Sequence, residues 1–403
     1  MLDQNQHTPC SGKINSGNNT FASINHHSSD NSLSKTTVEK KKSLAQKPSI
    51  YGLSPEEISS EMSALGEKSF RTKQLASWIY EKKEFDPSKW SNLPQKVKLH
   101  FSEKFSSQLP EIVSRLDAED GATKLLLKTE SGQLTETVIL RYKNRVSLCV
   151  SSQVGCKLAC TFCQTGKLGF FRNLSSDEIV SQFALASQII ATENKHISHM
   201  VFMGMGEPLD NYEAVINAVN LFTSEHAYGM NPNYVTISTS GIAPKIVKMA
   251  EDTKAVLAVS LHLANDKERT ALMPINRRYD LTELKKSLLL WQEKTGKKLT
   301  FEYILIDEVT STKRHAKALV KFLHGFRAKV NLIPFNSHPG MEFQRPSDDT
   351  IREFQKYLSD RSYAAPVRYS KGLEVSGACG QLAAKKVNEL SEAPRRKAVV
   401  EIN

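Results

Sequence analysis

The sequence predicts an α/β fold: a partial barrel of about six strand–helix units, preceded by a small helical domain and a β-hairpin extension. Three observations carry this. Apolar residues fall at helical spacing between 51 and 110, the period shortens toward two between 112 and 152, and from there short apolar runs alternate with helical segments. The last pattern implies a parallel sheet, because parallel neighbours need a crossover that a helix supplies.

Residues 1–48 are rich in Ser, Asn, His and Lys, with apolar residues scattered singly. Such a stretch buries too little surface to offset the entropy of ordering, so a disordered tail is expected. A transit peptide is the alternative, disfavoured by the absence of arginine and by Asp3, Asp30 and Glu39. Ser54-Pro55-Glu56-Glu57 then supplies an N-cap, a proline at the first helical position and acids in the first turn. Phe70, Gln74, Leu75, Trp78 and Ile79 continue at helical spacing, and Leu93-Pro94-Gln95 opens another helix. The helical domain spans 51–110; its Lys68, Arg71, Lys73, Lys82 and Lys83 suit either a phosphate backbone or a solvated face.

Residues 111–145 read as a hairpin region, with strands over 123–128, 134–141 and 146–151 between the turn pairs Asp120-Gly121, Ser131-Gly132 and Lys143-Asn144. The last of these strands opens the barrel, 146–372. Ser176-Asp177-Glu178 is expected to cap a helix running to Thr192, followed by a strand over 199–203 and a helix over 212–222. Further strands fall at 234–238, 255–260, 299–304 and 329–333, and 373–403 is a C-terminal segment carrying Cys379.

Lys plus Arg 54 against Asp plus Glu 43 gives +11, a surplus suited to a polyanion. No apolar run is long enough to cross a bilayer and no cleavable leader is visible, so a soluble cytoplasmic protein is expected. The cysteines are not spread as a secreted disulfide framework would be: Cys149, Cys156, Cys160 and Cys163 crowd together, with Cys379 far downstream and Cys10 in the tail.

Gly155-Cys156-Lys157-Leu158-Ala159-Cys160-Thr161-Phe162-Cys163 places three thiols on one short loop with no fourth at ligand spacing. Three thiolates can hold three corners of an iron–sulfur cube and leave one iron open to a small molecule. Zinc remains an alternative, with His196 or His199 as a late ligand, though structural zinc loops usually pair their cysteines. The Cys-x3-Cys-x2-Cys pattern, with an aromatic residue before the last cysteine, resembles the signature of the radical S-adenosylmethionine enzymes. Other polar residues collect where strands end: Gly204-Met205-Gly206-Glu207-Pro208, Ser238-Thr239-Ser240-Gly241, Ser260-Leu261-His262 and Pro334-Phe335-Asn336. In barrels of this kind those ends build the active site.

Over 51–390 the chain resembles the RlmN branch of the RlmN/Cfr family of radical SAM RNA adenine methyltransferases. The most specific motifs are the cysteine loop, Met203-Gly204-Met205-Gly206-Glu207-Pro208-Leu209 and Ala378-Cys379-Gly380-Gln381-Leu382. The resemblance implies a 4Fe-4S cluster on Cys156, Cys160 and Cys163. It implies S-adenosylmethionine held by Gly206, Glu207, Ser238, Ser260, Leu261, His262 and Asn336. It implies that Cys379 is methylated on sulfur, that a radical from a second S-adenosylmethionine converts this methyl to a methylene radical, and that the methylene adds to C2 of an adenine. Cys149 would then release the RNA by forming a transient disulfide with Cys379, and Glu136 would take the C2 proton. Read alone, Glu136 is a surface strand residue, Cys149 a buried apolar one and Cys379 a lone thiol.

The substrates implied are 23S rRNA and tRNA, with a flavodoxin or ferredoxin as electron donor and a monomeric enzyme. Methylation at C8, as in the Cfr branch, is the rival within the fold, and a noncatalytic metal-stabilised RNA-binding protein the rival outside it. Pro208 and the fuller helical domain favour C2. The N-terminal tail is not part of the family core, and Gln164 after the last ligand is larger than the family pattern.

Overall fold

The computed structural model describes residues 47–129, 131–337 and 341–382. The expected tail lies outside these apart from its last two residues, as do Cys10 and 383–403. Ser54 caps the first helix as its sequence requires: its hydroxyl accepts from the Glu57 amide at 3.1 Å while the Glu57 carboxylate accepts from the Ser54 amide at 2.7 Å. That helix, α1 (Pro55–Ala64), packs with α2 (Ser69–Ala76), which continues into a π turn at Ser77–Glu81, and α3 (Gln95–Lys104). Ile58, Met62, Leu75, Ile79, Trp90, Val97 and Phe101 are buried between them, in one continuous core with the barrel. Two hydrogen bonds tie this helical region down: the Ser49 amide donates to Asp177 at 2.8 Å, and the Tyr228 hydroxyl donates to the Tyr51 carbonyl at 2.7 Å.

An antiparallel meander follows, β1 (Glu111–Asp117), β2 (Ala122–Lys128), β3 (Leu134–Tyr142) and β4 (Arg145–Cys149). β1 is an addition to the expected strands. It lies at the sheet edge with no buried residue, so its sequence lacks the alternation that marks a half-buried strand. β5 (Gln153–Gly155) and β6 (Phe170–Asn173) pair antiparallel around the cysteine loop, with the short α4 (Gln164–Leu168) between them. α5 (Ser176–Ala191) is capped by Ser175 rather than Ser176: the Ser175 hydroxyl accepts from the amide of Glu178, three residues on, the spacing a capping box needs.

Strand and helix then alternate: β7 (His199–Phe202), α6 (Tyr212–Thr223), β8 (Val235–Thr239), α7 (Ala243–Asp252) and β9 (Val256–Ser260). α8 (Asp266–Leu272), α9 (Leu281–Thr295), β10 (Leu299–Leu305), α10 (Lys313–Leu323), β11 (Ala328–Pro334) and α11 (Asp348–Ser359) complete the order. The large sheet runs β1-β2-β3-β4-β7-β8-β9-β10-β11, parallel from β4 onward. Spatial order equals chain order, so the parallel part is a single curved wall of six strands, as the alternating pattern predicts.

The chain after α11 matters for the site. Residues 364–368 lie along the free edge of β11, where the Val330 and Leu332 amides donate to Ala364 and Pro366 and the Arg368 amide donates back to Leu332. The segment then reaches the meander: the Lys371 ammonium donates to the Arg141 carbonyl at 2.9 Å, and the Gly372 amide donates to Asp120 at 2.7 Å. This strap joins the last parallel strand to the first antiparallel ones and aims the residues after it across the barrel mouth.

Tyr228→Phe is expected to cost about 1–2 kcal/mol, because the buried Tyr51 carbonyl loses its donor. Urea unfolding followed by circular dichroism checks this; the m-value should not change.

Candidate active site

The cysteine loop owes its path to Gly155. Its φ is +75°, and a Cβ there would lie 1.9 Å from the Gly169 carbonyl oxygen. That contact lets the Cys156 amide donate to Gly169 at 2.9 Å and folds β5 back onto β6. The Cys163 amide donates to the Cys160 carbonyl at 3.1 Å, and the Cys163 sulfur receives the amides of Gly166 and Thr165. Phe162 is buried edge-on to the His262 ring, 4.9 Å between centroids, in an apolar wall with Leu263, Leu272, Ile304 and Phe335.

Burial pushes all three loop thiols up, and the Cys156 and Cys160 sulfurs are raised further by the charges of their loop neighbours. Among the described residues no three His, Cys, Asp or Glu side chains converge on one ion. Three sulfurs spread along one loop, walled by apolar side chains and mutually repelling as thiolates, are a donor set for a polynuclear cluster that takes up their charge. The residues present fit the cluster expected from the sequence, with Cys156, Cys160 and Cys163 to hold it.

The strand ends face this loop. Gly204 and Gly206 permit the turn after β7: a Cβ on Gly204 would sit 2.6 Å from the Val150 carbonyl oxygen, and one on Gly206, at φ +102°, 2.6 Å from Gln153 Cβ. Glu207 is buried, and its carboxylate accepts from the amides of Leu209 at 3.1 Å and Ser240 at 2.8 Å, joining the ends of β7 and β8. Burial raises its pKa, and the hydrogen bonds from Ser240, Thr239 and Leu209 pull it back. Ser238 is buried at the end of β8, and Ser260 is half-buried at the end of β9, followed by fully buried Leu261. His262 Nδ1 accepts from the Ile304 amide at 3.1 Å, which leaves its hydrogen on Nε2. Its pKa is pushed down to about 3, first by burial and then by Arg269. Asn336 donates to the Ser370 hydroxyl at 2.9 Å, on the strap.

Glu136 is buried rather than a surface strand residue, and it pairs with Lys124 Nζ at 3.2 Å. Lys124 also donates to the Ser376 carbonyl at 3.3 Å, so the pair touches the segment leading to Cys379. That segment docks on the cysteine loop: the Gln164 amide donates to Gly380 at 2.8 Å and the Thr165 hydroxyl to Leu382 at 2.7 Å. Cys379 itself is open to solvent on one side and crowded by the bowl on the other. Its thiol is pushed up to about 11 by desolvation, then by the charges of Glu302 and Cys163. Cys149, buried at the end of β4, is raised by burial and then by Cys379, so the two thiols are electrostatic neighbours. The disulfide expected between them is not formed: both are free thiols.

Arg269, Glu302 and Lys124 escaped the sequence reading. Glu302 carried a signal, as a lone acid inside the apolar run of β10; it is buried and accepts from Asn331 at 2.8 Å. Lys124 was recoverable from the register, since its strand pairs β3 with Leu126 opposite Glu136. Arg269 sits in Asp266-Lys267-Glu268-Arg269, which reads as a charged surface turn yet is fully buried.

Gly155→Ala is expected to abolish iron and sulfide loading, measured per chain after anaerobic reconstitution, with far-ultraviolet circular dichroism little changed. A pH dependence also follows. The folded His262 value lies below its ordinary 6.5, so its contribution is complete above pH 6.5 and is lost as pH falls from there through about 3, because the unfolded chain takes up the proton first. Unfolding free energies of the apoprotein across that window should slope less in His262→Gln.

Residues 150–319 match the Radical SAM superfamily, and residues 49–106 match the ribosomal RNA large subunit methyltransferase N-terminal domain. The dual-specificity RNA methyltransferase RlmN of Ruthia magnifica subsp. Calyptogena magnifica is 42% identical over 335 residues, 83% of this chain and 94% of its own. That of Nitratiruptor sp. is 41% identical, covering 83% and 98%. The crystal structure of a radical SAM methyltransferase from Sphaerobacter thermophilus superposes with a TM-score of 0.80 at 37% identity, covering 84% of this chain and 99% of that one. With relatives this similar matched over nearly their whole length, the chain belongs to the dual-specificity RNA methyltransferase RlmN family of radical SAM enzymes, which work with a 4Fe-4S cluster and S-adenosylmethionine.

Proposed function

We propose that the enzyme methylates C2 of an adenine in 23S rRNA and in tRNA, with Cys379 as the methyl carrier, Cys149 as the resolving thiol and Glu136 as the proton acceptor. The observation that carries this reading is the meeting of Cys379 with Cys149 and Cys163 at one barrel mouth, although the three lie on separate segments of the chain. A cysteine loop and cofactor pocket alone would serve any radical SAM reaction; a solvent-facing thiol poised over a buried one suits covalent transfer and release. When bound at Cys156, Cys160, Cys163 and the strand ends, the cluster and S-adenosylmethionine supply an electron, a methyl group and a hydrogen-abstracting radical.

The protein's residues do the rest. Cys379, on the open side of the bowl, can meet an incoming base, and must lose its proton to accept a methyl group. A carbon radical attached to the Cys379 sulfur adds to electron-poor C2, where ordinary displacement on a sulfonium would fail, and the unpaired electron of the adduct would return to the bound cluster, oxidised when that radical is generated. Glu136 takes the proton that leaves C2. Cys149 then attacks the Cys379 sulfur: an S–S bond forms, the C–S bond breaks with its electron pair going to carbon, and that carbon gains a proton to become the methyl group. Burial keeps Cys149 protonated, which holds it back from competing as the first nucleophile.

The disulfide would be a turnover species, reopened by two electrons from an external reductant. A flavodoxin or ferredoxin would supply the electron to the cluster. The surplus of +11 suits an RNA partner. A monomeric enzyme acting in the cytoplasm completes the proposal; among the described residues no helix is long and apolar enough to cross a membrane.

Mass spectrometry of nucleosides from rRNA and tRNA, incubated with reconstituted enzyme, reductant and S-adenosylmethionine, tests this. 2-Methyladenosine should form and vanish in Cys379→Ala; 8-methyladenosine would move the enzyme to the neighbouring chemistry. Cys149→Ala should leave RNA covalently attached, seen as a retarded band on a denaturing gel, and a freely released product would refute the resolving role.

A further inference from the structure

Arg269 lies in α8 and none of its surface is exposed. Its guanidinium is spent on neutral acceptors: Nε donates to the Leu261 carbonyl at 3.0 Å, Nη2 to Ser240 at 2.7 Å and Ser260 at 3.3 Å, and Nη1 to Asn276 Oδ1 at 2.7 Å. Three of these are backbone carbonyls at the ends of β8 and β9, where the cofactor positions lie. Of the two acids on its own helix, Glu268 pairs with Arg314 at 2.6 Å and Asp266 is reached through Asn276, whose Nδ2 donates to Asp266 Oδ1 at 2.9 Å. That same carboxylate oxygen also accepts from the Leu281 amide. Among the described residues Arg269 forms no direct ion pair. A buried cation hydrogen-bonded only to dipoles, with Asp266 as a more distant negative charge, is expensive, and such a charge is kept where a nearer anion compensates it in the working state.

The anion is beside it. The helix that carries Arg269 also holds the cysteine loop: the Leu272 carbonyl accepts from the Thr161 amide at 3.0 Å, between Cys160 and Cys163. The Arg269 charge acts on the Cys160 sulfur. Opposing it, Glu207 places negative charge near Cys156 and Cys160, while His262 is held neutral. With desolvation its pKa falls to about 10, which still leaves the guanidinium charged at neutral pH.

We propose that Arg269 is the counter-charge of the cluster loop: a positioning residue that pins the ends of β8 and β9 and, beside Cys160, raises the reduction potential of the cluster bound there. The physical reason is that a thiolate-ligated cluster gains negative charge on reduction, so a fixed cation in a low-dielectric wall stabilises the reduced form more than the oxidised one. The proposal rests on the cluster assignment. It adds that one arginine, remote from the ligands in sequence, tunes the electron affinity that radical generation needs.

The test uses the full-length chain, wild type, Arg269→Gln and Arg269→Lys, each reconstituted anaerobically. Iron and sulfide are counted per chain, and the cluster is titrated against redox mediators with electron paramagnetic resonance detection, without RNA. At a fixed solution potential the reduced-to-oxidised ratio should fall about tenfold in Arg269→Gln, a shift of about 59 mV for one electron. Arg269→Lys keeps the charge with fewer hydrogen bonds and should recover most of it. An unchanged potential in a fully loaded Arg269→Gln protein overturns the proposal, as does a tenfold displacement in Arg269→Lys. If Arg269→Gln fails to hold iron, the Arg269→Lys titration decides alone, a near-wild-type ratio supporting the charge role. Wild-type protein that binds no iron would instead overturn the cluster assignment.

Discussion

The close approach of Gly155 to the carbonyl of Gly169 is the contact on which the site depends. It folds β5 onto β6, and this sets the direction in which the loop between them leaves the sheet. From that direction follow the placement of Phe162 in the apolar wall, the seating of Thr161 on the end of α8, and the start of α4 directly after Cys163. A side chain larger than hydrogen at 155 would force the two strands apart, and each later contact would lose its partner.

Buried charge is handled by the backbone. Glu207 gives its oxygens to the amides of Leu209 and Ser240, and Arg269 gives its N–H groups to carbonyls of Ser240, Ser260 and Leu261. Ser240 therefore carries an acid on its amide and a base on its carbonyl. Strand ends that would fray alone are stapled to one another by these groups, and the polar mouth stays ordered where ordinary sheet pairing has stopped. The same groups set the field around the thiols, Glu207 and Glu302 from the negative side and Arg269 from the positive.

The strap solves a different problem, bringing Cys379 from the end of the chain to the front of the barrel. Its anchors are ordinary: pairing to β11, Lys371 and Gly372 on the turn between β1 and β2 and the end of β3, Lys124 on Ser376, and two hydrogen bonds to α4. This explains why the meander precedes the barrel. β2 and β3 are the surface against which the strap is laid; on them Glu136 is buried and its partner Lys124 half-buried.

Local rules carried much of this from sequence alone. The N-cap at Ser54, the alternation of apolar runs with helices, the cysteine spacing and the polar strand ends each act over a few residues, so composition and period reveal them. The resemblance of whole motifs added the roles proposed for Cys149, Cys379 and Glu136, which no local rule contains. Tertiary structure alone decided the rest. β1 stays silent in sequence because an edge strand with nothing to bury needs no pattern, and the Ser175 cap differs from the expected Ser176 by one residue because only hydrogen-bond geometry separates adjacent serines. Arg269 reads as surface charge because burial of an ion depends on acceptors supplied by two distant strand ends and the turn after its own helix, and their meeting is a property of the folded barrel.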